Sequence, residues 1–109
     1  MATTFRNTVV KEIGITPTQV CQTTEISKAT VIGLSLTNLT SGNVTVNVLL
    51  EDDTSTQGYY VKGVIIPAGN SLRVVNQGEK LILSSNNQLI ISTDTANSID
   101  AIVSWVEIT

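Results

Sequence analysis

The fold is decided by residues 31–50, VIGLSLTNLTSGNVTVNVLL, in which apolar and polar side chains alternate. Alternation with a period of two is typical of a half-buried β-strand, whereas a helix needs apolar residues three and four positions apart. The polar turn at residues 40–43 between the two halves predicts a β-hairpin. The apolar residues expected to share a face are Ile32, Leu34 and Leu36 in the first half and Val44, Val46, Val48 and Leu50 in the second.

Similar runs rich in Val, Ile and Thr recur along the chain, separated by turn residues such as those at 67–70, 76–78 and 85–87. Many short strands with regular turns predict an all-β protein, an antiparallel two-sheet β-sandwich of eight or nine short strands, jelly-roll-like in form. Residues 1–27 are interpreted as an N-terminal arm and first strands, and 28–109 as the sandwich, within one domain overall. The further strands are expected at residues 5–13, 19–22, 59–66, 72–75, 80–84, 89–92 and 99–108.

The composition argues against catalysis and against nucleic-acid binding. The chain has no histidine, the side chain most used for proton transfer near neutral pH, and no other residues assemble a nucleophile with a base. Its six Lys and Arg residues are dispersed and outnumbered by nine Asp and Glu, whereas phosphate binding needs clustered cations. We predict a protein that is not an enzyme, binds no cofactor, nucleic acid or small-molecule substrate, and has neither signal peptide nor membrane span.

Two features are candidates for chemistry, and each has a simpler structural interpretation. The single Cys21 follows Val20 and is expected to be a buried thiol without a disulfide partner. The acidic residues Glu51, Asp52 and Asp53 could offer oxygen ligands to a hard cation. They lack the alternating ligand spacing of a calcium loop, so a polar turn between strands is favoured over a metal site.

Three runs, at residues 64–66, 81–83 and 89–91, are apolar on both strand faces. Either loops cover the second face or another chain buries it, and subunit contact is favoured because large apolar patches are rarely left in water. Residues 5–13 could add to the sheet edge of a neighbouring chain, or form the first strand of their own sandwich. The residues predicted to make contacts between chains are Phe5, Val9, Tyr59, Tyr60, Ile66, Ile82 and Ile90.

The few aromatic residues are expected to divide between core and surface. Tyr59 and Tyr60 are adjacent on a strand and must point to opposite faces, so at most one enters the core. The outward tyrosine could stack on a ligand or on a partner subunit. Trp105 shares its face with Val103 and Ala101, which predicts a core position.

Several segments resemble small structural proteins of tailed bacteriophages: YYVKG at 59–63, IPAGNSL at 66–72 and DAIVSWVEI at 100–108, with shorter matches at 29–34, 44–46 and 80–83. The resemblance covers roughly residues 28–108. It implies a β-sandwich that decorates or cements a capsid, often as a trimer, or an adaptor in the neck, tail or baseplate. These motifs are strands and turns, and they supply no active site.

The resemblance and the residues together predict a non-enzymatic bacteriophage virion protein, a capsid decoration or cement subunit forming homotrimers over the major capsid protein. Its partners would be itself and the major capsid protein or another virion protein, and its location the virion, assembled in the host cytoplasm. A neck, tail or baseplate adaptor is the structural alternative. A receptor- or glycan-binding module is the alternative from another class.

Overall fold

The computed structural model describes residues 2–75 and 78–109, within which all regular structure is β. That part of the chain therefore contains no helix long and apolar enough to cross a membrane. Branched side chains pack well on a pleated surface, which is why segments rich in Val, Ile and Thr adopt it. The strands are β1 Thr3–Ile13, β2 Thr18–Gln22, β3 Lys28–Asn38, β4 Val44–Glu51, β5 Gln57–Ile66, β6 Ser71–Val75, β7 Leu81–Leu83, β8 Gln88–Thr93 and β9 Ile99–Ile108.

The strands form two antiparallel sheets. Sheet I has the order β1-β9-β3, with both β6 and β7 paired to β3, and sheet II has the order β2-β8-β4-β5. Each sheet interleaves strands from the start and the end of the chain, as two Greek keys do in a jelly roll. The predicted two-sheet, jelly-roll-like sandwich of short strands is confirmed.

The core lies between the sheets and is filled by inward side chains of both. Val46 and Val48 of sheet II are fully buried, as is Val103 of sheet I. Ala101 and Trp105 lie on the same inward face as Val103, which confirms the prediction for these residues. Burying one such aliphatic side chain contributes about 1.5–3 kcal/mol, so this shared interior holds the sheets together.

The predicted hairpin between β3 and β4 is wrong. β3 belongs to sheet I and β4 to sheet II, so residues 39–43 cross from one sheet to the other. The two apolar faces meet across the core instead of lying side by side. Alternation cannot distinguish these arrangements, because a strand has the same period whether its neighbour in sequence lies beside it or opposite it.

The side chain of Asn38 holds this corner. It is 2% exposed, and its Nδ2 donates to the carbonyl oxygens of Gly42 and Ile66, each at 2.8 Å. Its Oδ1 accepts from the amide and the hydroxyl of Thr40, also at 2.8 Å. Both amide protons and both oxygen lone pairs are therefore used, and the corner is tied to the end of β5.

Ile32 points away from the core, contrary to the face predicted for it. The register of β3 against β9 shifts between Val31 and Gly33, so β3 carries one residue more than its partner over this stretch. One extra residue in a strand reverses the facing of the side chains on one side of it. Val31 is therefore fully buried, whereas Ile32 is 44% exposed.

β1 pairs with β9 along its length and is the first strand of the chain's own sandwich, one of the two alternatives that the sequence left open. A bulge interrupts it between Val10 and Ile13. There Glu12 has a positive φ of 57°, and its amide donates to Oδ1 of Asp100 at 3.0 Å. Met1, at the start of the predicted arm, lies outside the described residues.

The turn predicted at residues 67–70 is present. The amide of Asn70 donates to the carbonyl of Pro67 at 3.1 Å, and Gly69 has a φ of 68°, which glycine adopts without strain. Of the reversal predicted at residues 76–78, Asn76 and Gln77 lie outside the described residues.

We expect Asn38→Ala to lower the free energy of unfolding by about 2–3 kcal/mol, because the buried bond to the carbonyl of Ile66 would be lost together with the other three bonds of this side chain. A urea titration followed by tryptophan fluorescence measures the change. Asn43→Ala, at an exposed position after the same corner, is the matched control and should stay within about 0.5 kcal/mol of the parent. Equal midpoints for the two variants would show that this side chain does not hold the corner.

Candidate interaction surface

The outward side chains of sheet I form rows across its strands. In the first row Phe5 of β1 lies opposite Val106 of β9. Val106 lies opposite Thr30 of β3, and Thr30 lies opposite Ile82 of β7. Directly opposed side chains are about 5 Å apart at Cβ, so this row is an apolar stripe interrupted by a single threonine.

A second row runs parallel to the first, four residues further along the strands. Val9 lies opposite Ile102, and Ile102 lies opposite Ser35. We call the outward side of sheet I the outer face. Its large exposed apolar residues are Phe5 at 77%, Val9 at 60%, Ile82 at 57%, Ile102 at 50%, Ile32 at 44% and Ile108 at 37% exposure.

Charged residues lie around the outer face and not at its centre. Among the paired residues of the two rows, Arg73 alone is charged, and it lies at the β6 edge opposite Ser35. Lys28 lies opposite Ile108 at one end of the face, and Asp100 lies near the other end. An uncharged centre within a polar rim is the usual anatomy of a protein–protein contact.

The structure brings together three of the seven residues predicted to contact another chain. Phe5, Val9 and Ile82 come from the first and the seventh strands, and all three point outward from sheet I. Tyr59 is also exposed but lies on sheet II, on the opposite side of the sandwich.

The expectation of a surface contact is corrected for two of the others. Ile66 is 1% exposed because it lies opposite Val44 at an inward position of β5. Ile90 is 9% exposed and lies opposite Leu49 on the neighbouring strand. Tyr60 is half-buried and packs against the core. Ile66 and Tyr60 thus belong to the chain's own interior, whereas Ile90 lies on the outward side of sheet II and is covered there within the chain.

Three exposed residues of the outer face were missed at the sequence level. Ile102 and Ile108 had a usable signal, because Trp105 and its neighbours of odd number occupy the inward face of β9 and leave the even-numbered apolar residues outside. No sequence signal marks Ile32 as outward, because its orientation depends on the bulge in β3.

A smaller apolar surface lies on sheet II. We call it the β5 patch: Tyr59 and Ile65 of β5, with exposures of 54% and 58%, together with Leu49, which lies opposite Tyr59. The Lys62 ammonium is 4.9 Å from the centroid of the Tyr59 ring. This cation–π contact holds the lysine along the strand.

Two open cavities adjoin these surfaces. One, of about 320 Å³, lies beside the β5 patch and is lined by Leu50, Asp52, Gln57, Tyr59 and Tyr60 among others. The other, of about 330 Å³, lies at the Lys28 end of the outer face and is lined by Ile26, Lys28, Ile108 and Thr109. Both are at the small end of the range for ligand-binding pockets.

The acidic turn after β4 is bonded to its own neighbours. Oδ1 of Asp52 accepts from the hydroxyl of Thr54 at 2.7 Å and from the amides of Thr54 and Thr56 at 2.9 and 3.0 Å, which lowers the pKa of this carboxyl below its ordinary value. Glu51 accepts from Gln57 at 2.7 Å. In the described part of the chain no three His, Cys, Asp or Glu side chains converge to hold a metal ion.

Cys21 is a buried thiol, as predicted. It is 4% exposed on β2. Burial, with a smaller contribution from the negative charge of Glu107, raises the pKa of this thiol from 9.0 to about 11. Because the thiolate is the reactive form, the side chain is chemically quiet near neutral pH.

A jelly-roll sandwich with an apolar outer face thus describes the molecule. Neither a protein-family model nor a curated protein sequence matches the chain.

Several solved structures share its fold at low sequence identity. A chain of the disulfide-linked pili that form Bacillus endospore appendages aligns with a TM-score of 0.58 and 11% identity, covering 98% of this chain and 88% of that one. PirA aligns with a TM-score of 0.52 and 11% identity, and the alignment covers 92% of each chain. A chain of the acid-stable capsid of Helicobacter pylori bacteriophage KHP30 aligns with a TM-score of 0.52 and 11% identity. This alignment covers 98% of this chain and 87% of the capsid chain. At this identity the likeness establishes the fold alone.

We expect Cys21 to resist a thiol reagent at pH 8 in the native protein and to react at once in denaturant.

The raised pKa of Cys21 also makes the stability of the protein pH-dependent. The thiol of the unfolded chain ionises above pH 9, while that of the folded chain stays protonated. The contribution of Cys21 to the free energy of unfolding is therefore full below pH 9 and is lost between about pH 9 and 11. Urea midpoints of the parent and of Cys21→Ala, compared over that range, isolate this effect. Rapid labelling of Cys21 in the native protein at pH 8 would contradict its expected protection by burial.

Proposed function

We propose that this chain is a non-enzymatic structural protein of a virion, whose copies assemble through apolar surfaces of the sandwich. The observation that carries the proposal is the outer face, where six large apolar side chains are at least 37% exposed around an uncharged centre. The two apolar rows lie on either side of Asn7 and Ser104, so the face carries two exposed apolar stripes, and a partner protein is the natural cover for them.

The comparisons support this proposal at the level of architecture. Two of the proteins that share the fold, the endospore pilus chain and the phage capsid chain, come from assemblies of many copies. The resemblance of residues 28–108 to tailed-phage structural proteins supports the same class of function. No catalytic group is invoked for this role, because it consists of holding surfaces together.

More specifically, we propose a capsid decoration or cement subunit that forms a homotrimer on the major capsid protein. Sister subunits would bury their apolar surfaces against one another, while the exposed polar side chains of β1 and the polar loops contact the lattice beneath. Three copies bound together hold the lattice more tightly than one, because the second and third contacts form within a tethered complex.

Phage particles lacking the protein should release their genome at a lower temperature or a milder osmotic shock than complete particles. The measurement is DNA release against temperature, with particles re-supplied with the purified chain as the control. Identical release curves with and without the chain would refute the cement function.

A neck, tail or baseplate adaptor is the alternative within the structural class. Such a protein would occur in one ring of few copies, whereas a decoration protein covers the shell. The copy number per particle, measured by quantitative mass spectrometry, separates the two functions.

A glycan-binding module is the alternative from another class, and the cavity of about 320 Å³ beside the β5 patch is the observation in its favour. Tyr59 and Tyr60 could stack on sugar rings there, and Asp52 and Gln57 could bond to hydroxyl groups. Retention on host surface polysaccharide that is lost in Tyr59→Ala and kept in Tyr59→Phe would favour this alternative over the structural one.

A further inference from the structure

We infer that two copies of this chain pair through the free edge of β1, with the two strands antiparallel and Asn7 of one copy opposite Asn7 of the other. The contact continues sheet I of one copy into sheet I of the next across a two-fold axis. The inference goes beyond the proposed function, because this two-fold contact is distinct from the three-fold contacts of a homotrimer and can join copies from two trimers.

Among the sheet edges in the described part of the chain, the edge of β1 is the longest without interruption. β1 has 11 residues, pairs with β9 alone, and follows it without a register shift from Thr3 to Val10. The opposite edge of sheet I consists of β6 and β7, with five and three residues. In sheet II, β2 has five residues, and the register of β5 shifts twice. Short or bulged edges discourage the addition of a further strand, so β1 is the edge that stays open to it.

The free backbone groups of β1 belong to its odd-numbered residues. Ala2 and Thr109 exchange two hydrogen bonds, with N to O distances of 3.0 and 2.9 Å. Bonding alternates along an antiparallel ladder, so the amides and carbonyls of Phe5, Asn7 and Val9 point away from β9. A second β1 placed with Asn7 opposite Asn7 brings these three residues of both copies into bonded pairs, which supplies about six backbone hydrogen bonds.

The side chains select this register. With Asn7 on the axis, Phe5 lies opposite Val9 of the second copy, and an aromatic residue opposite a β-branched one is a favourable cross-strand pair. Sliding the second strand by two residues in one direction would place Arg6 opposite Arg6, and in the other direction Phe5 opposite Lys11. A slide by one residue would oppose backbone groups that already bond to β9.

The same register joins the apolar rows of the two outer faces. In each copy the first row reaches the β1 edge at Phe5 and the second at Val9. Phe5 is 77% exposed and gains an apolar neighbour on its open side. Across the axis the two rows become one stripe, which runs through Ile82, Thr30, Val106 and Phe5 of one copy into Val9 and Ile102 of the other.

Sheet II does not cover the first half of β1, which leaves room for the second strand. Every side chain from Thr3 to Asn7 is exposed, including Thr4 and Arg6 on the side that faces sheet II. Pairing through the backbone keeps these polar side chains on the surface. They therefore remain available for the contacts with the capsid lattice proposed above.

The register is tested by disulfide formation in a Cys21→Ala background, in which each variant carries one cysteine. Opposed residues of a bonded antiparallel pair have Cα atoms about 5.5 Å apart, within the reach of a disulfide. Mild oxidation should therefore link Asn7→Cys into a species of twice the 11.6 kDa of one chain.

Phe5→Cys is the matched control on the same exposed strand. Its two copies would be four residues apart along the paired strands, about 13 Å, and should not link. A mixture of Phe5→Cys and Val9→Cys should link, because these two positions lie opposite each other.

The backbone bonds are tested by sedimentation of Asn7→Pro and Asn7→Ala. Proline removes the amide that faces the free edge and leaves the bonds to β9 in place, as at other edge strands. The parent and Asn7→Ala should associate equally as concentration rises. Asn7→Pro should weaken the two-fold contact roughly tenfold or more, because both central bonds are lost. Thermal midpoints at low concentration verify that both variants keep the fold.

Three outcomes would overturn the inference: no disulfide in Asn7→Cys, a disulfide in Phe5→Cys formed as readily as in Asn7→Cys, or equal association of Asn7→Pro and Asn7→Ala. The disulfide variants keep the test decisive if proline disturbs the fold. Because each of them carries one cysteine, a homotrimer without the β1 contact would leave Asn7→Cys unlinked. The virion function is judged separately by genome release from particles.

Discussion

The long pairing of β3 with β9 is the constraint on which the rest of the structure depends. The two strands are matched over about ten residues at the centre of sheet I, and they carry side chains for both of its surfaces. Their inward residues, Val103 and Leu36 among them, fill the core. Their outward residues, Ile102 and Ile108 among them, lie on the two central strands of the outer face. The core and the outer face are therefore built by the same two strands, on opposite sides of one ladder.

The sequence predicted the sandwich well, because period-two alternation depends on which side of a strand is buried. It did not predict which sheet each strand joins. Placing β4 across the core from β3 depends on the bonds of Asn38 to Gly42 and Ile66, and the latter is 28 residues away in the chain. The sequence also did not predict that the side chain of Ile32 points outward. A bulge depends on the pairing with the partner strand, and the alternation of the strand itself does not reveal it.

The candidate surface was predicted only in part, for a related reason. The apolar runs pointed to Ile82 and the possible strand addition to Phe5 and Val9, and all three are exposed, yet the runs also included Ile66 and Ile90, which the chain buries itself. A run of apolar residues shows that a second face needs cover. Whether the cover comes from the same chain depends on strands that are distant in sequence.

The edges of sheet I limit how copies can join. One edge is made by two short strands, β6 of five residues and β7 of three, which pair with different stretches of β3. Short edge strands present few consecutive backbone donors and acceptors, so they are poor templates for an added strand from another molecule. Growth by continuous backbone pairing, the route to fibrous aggregates, is thus disfavoured along this edge, where any association is left to side chains, whose shapes and charges can discriminate between partners.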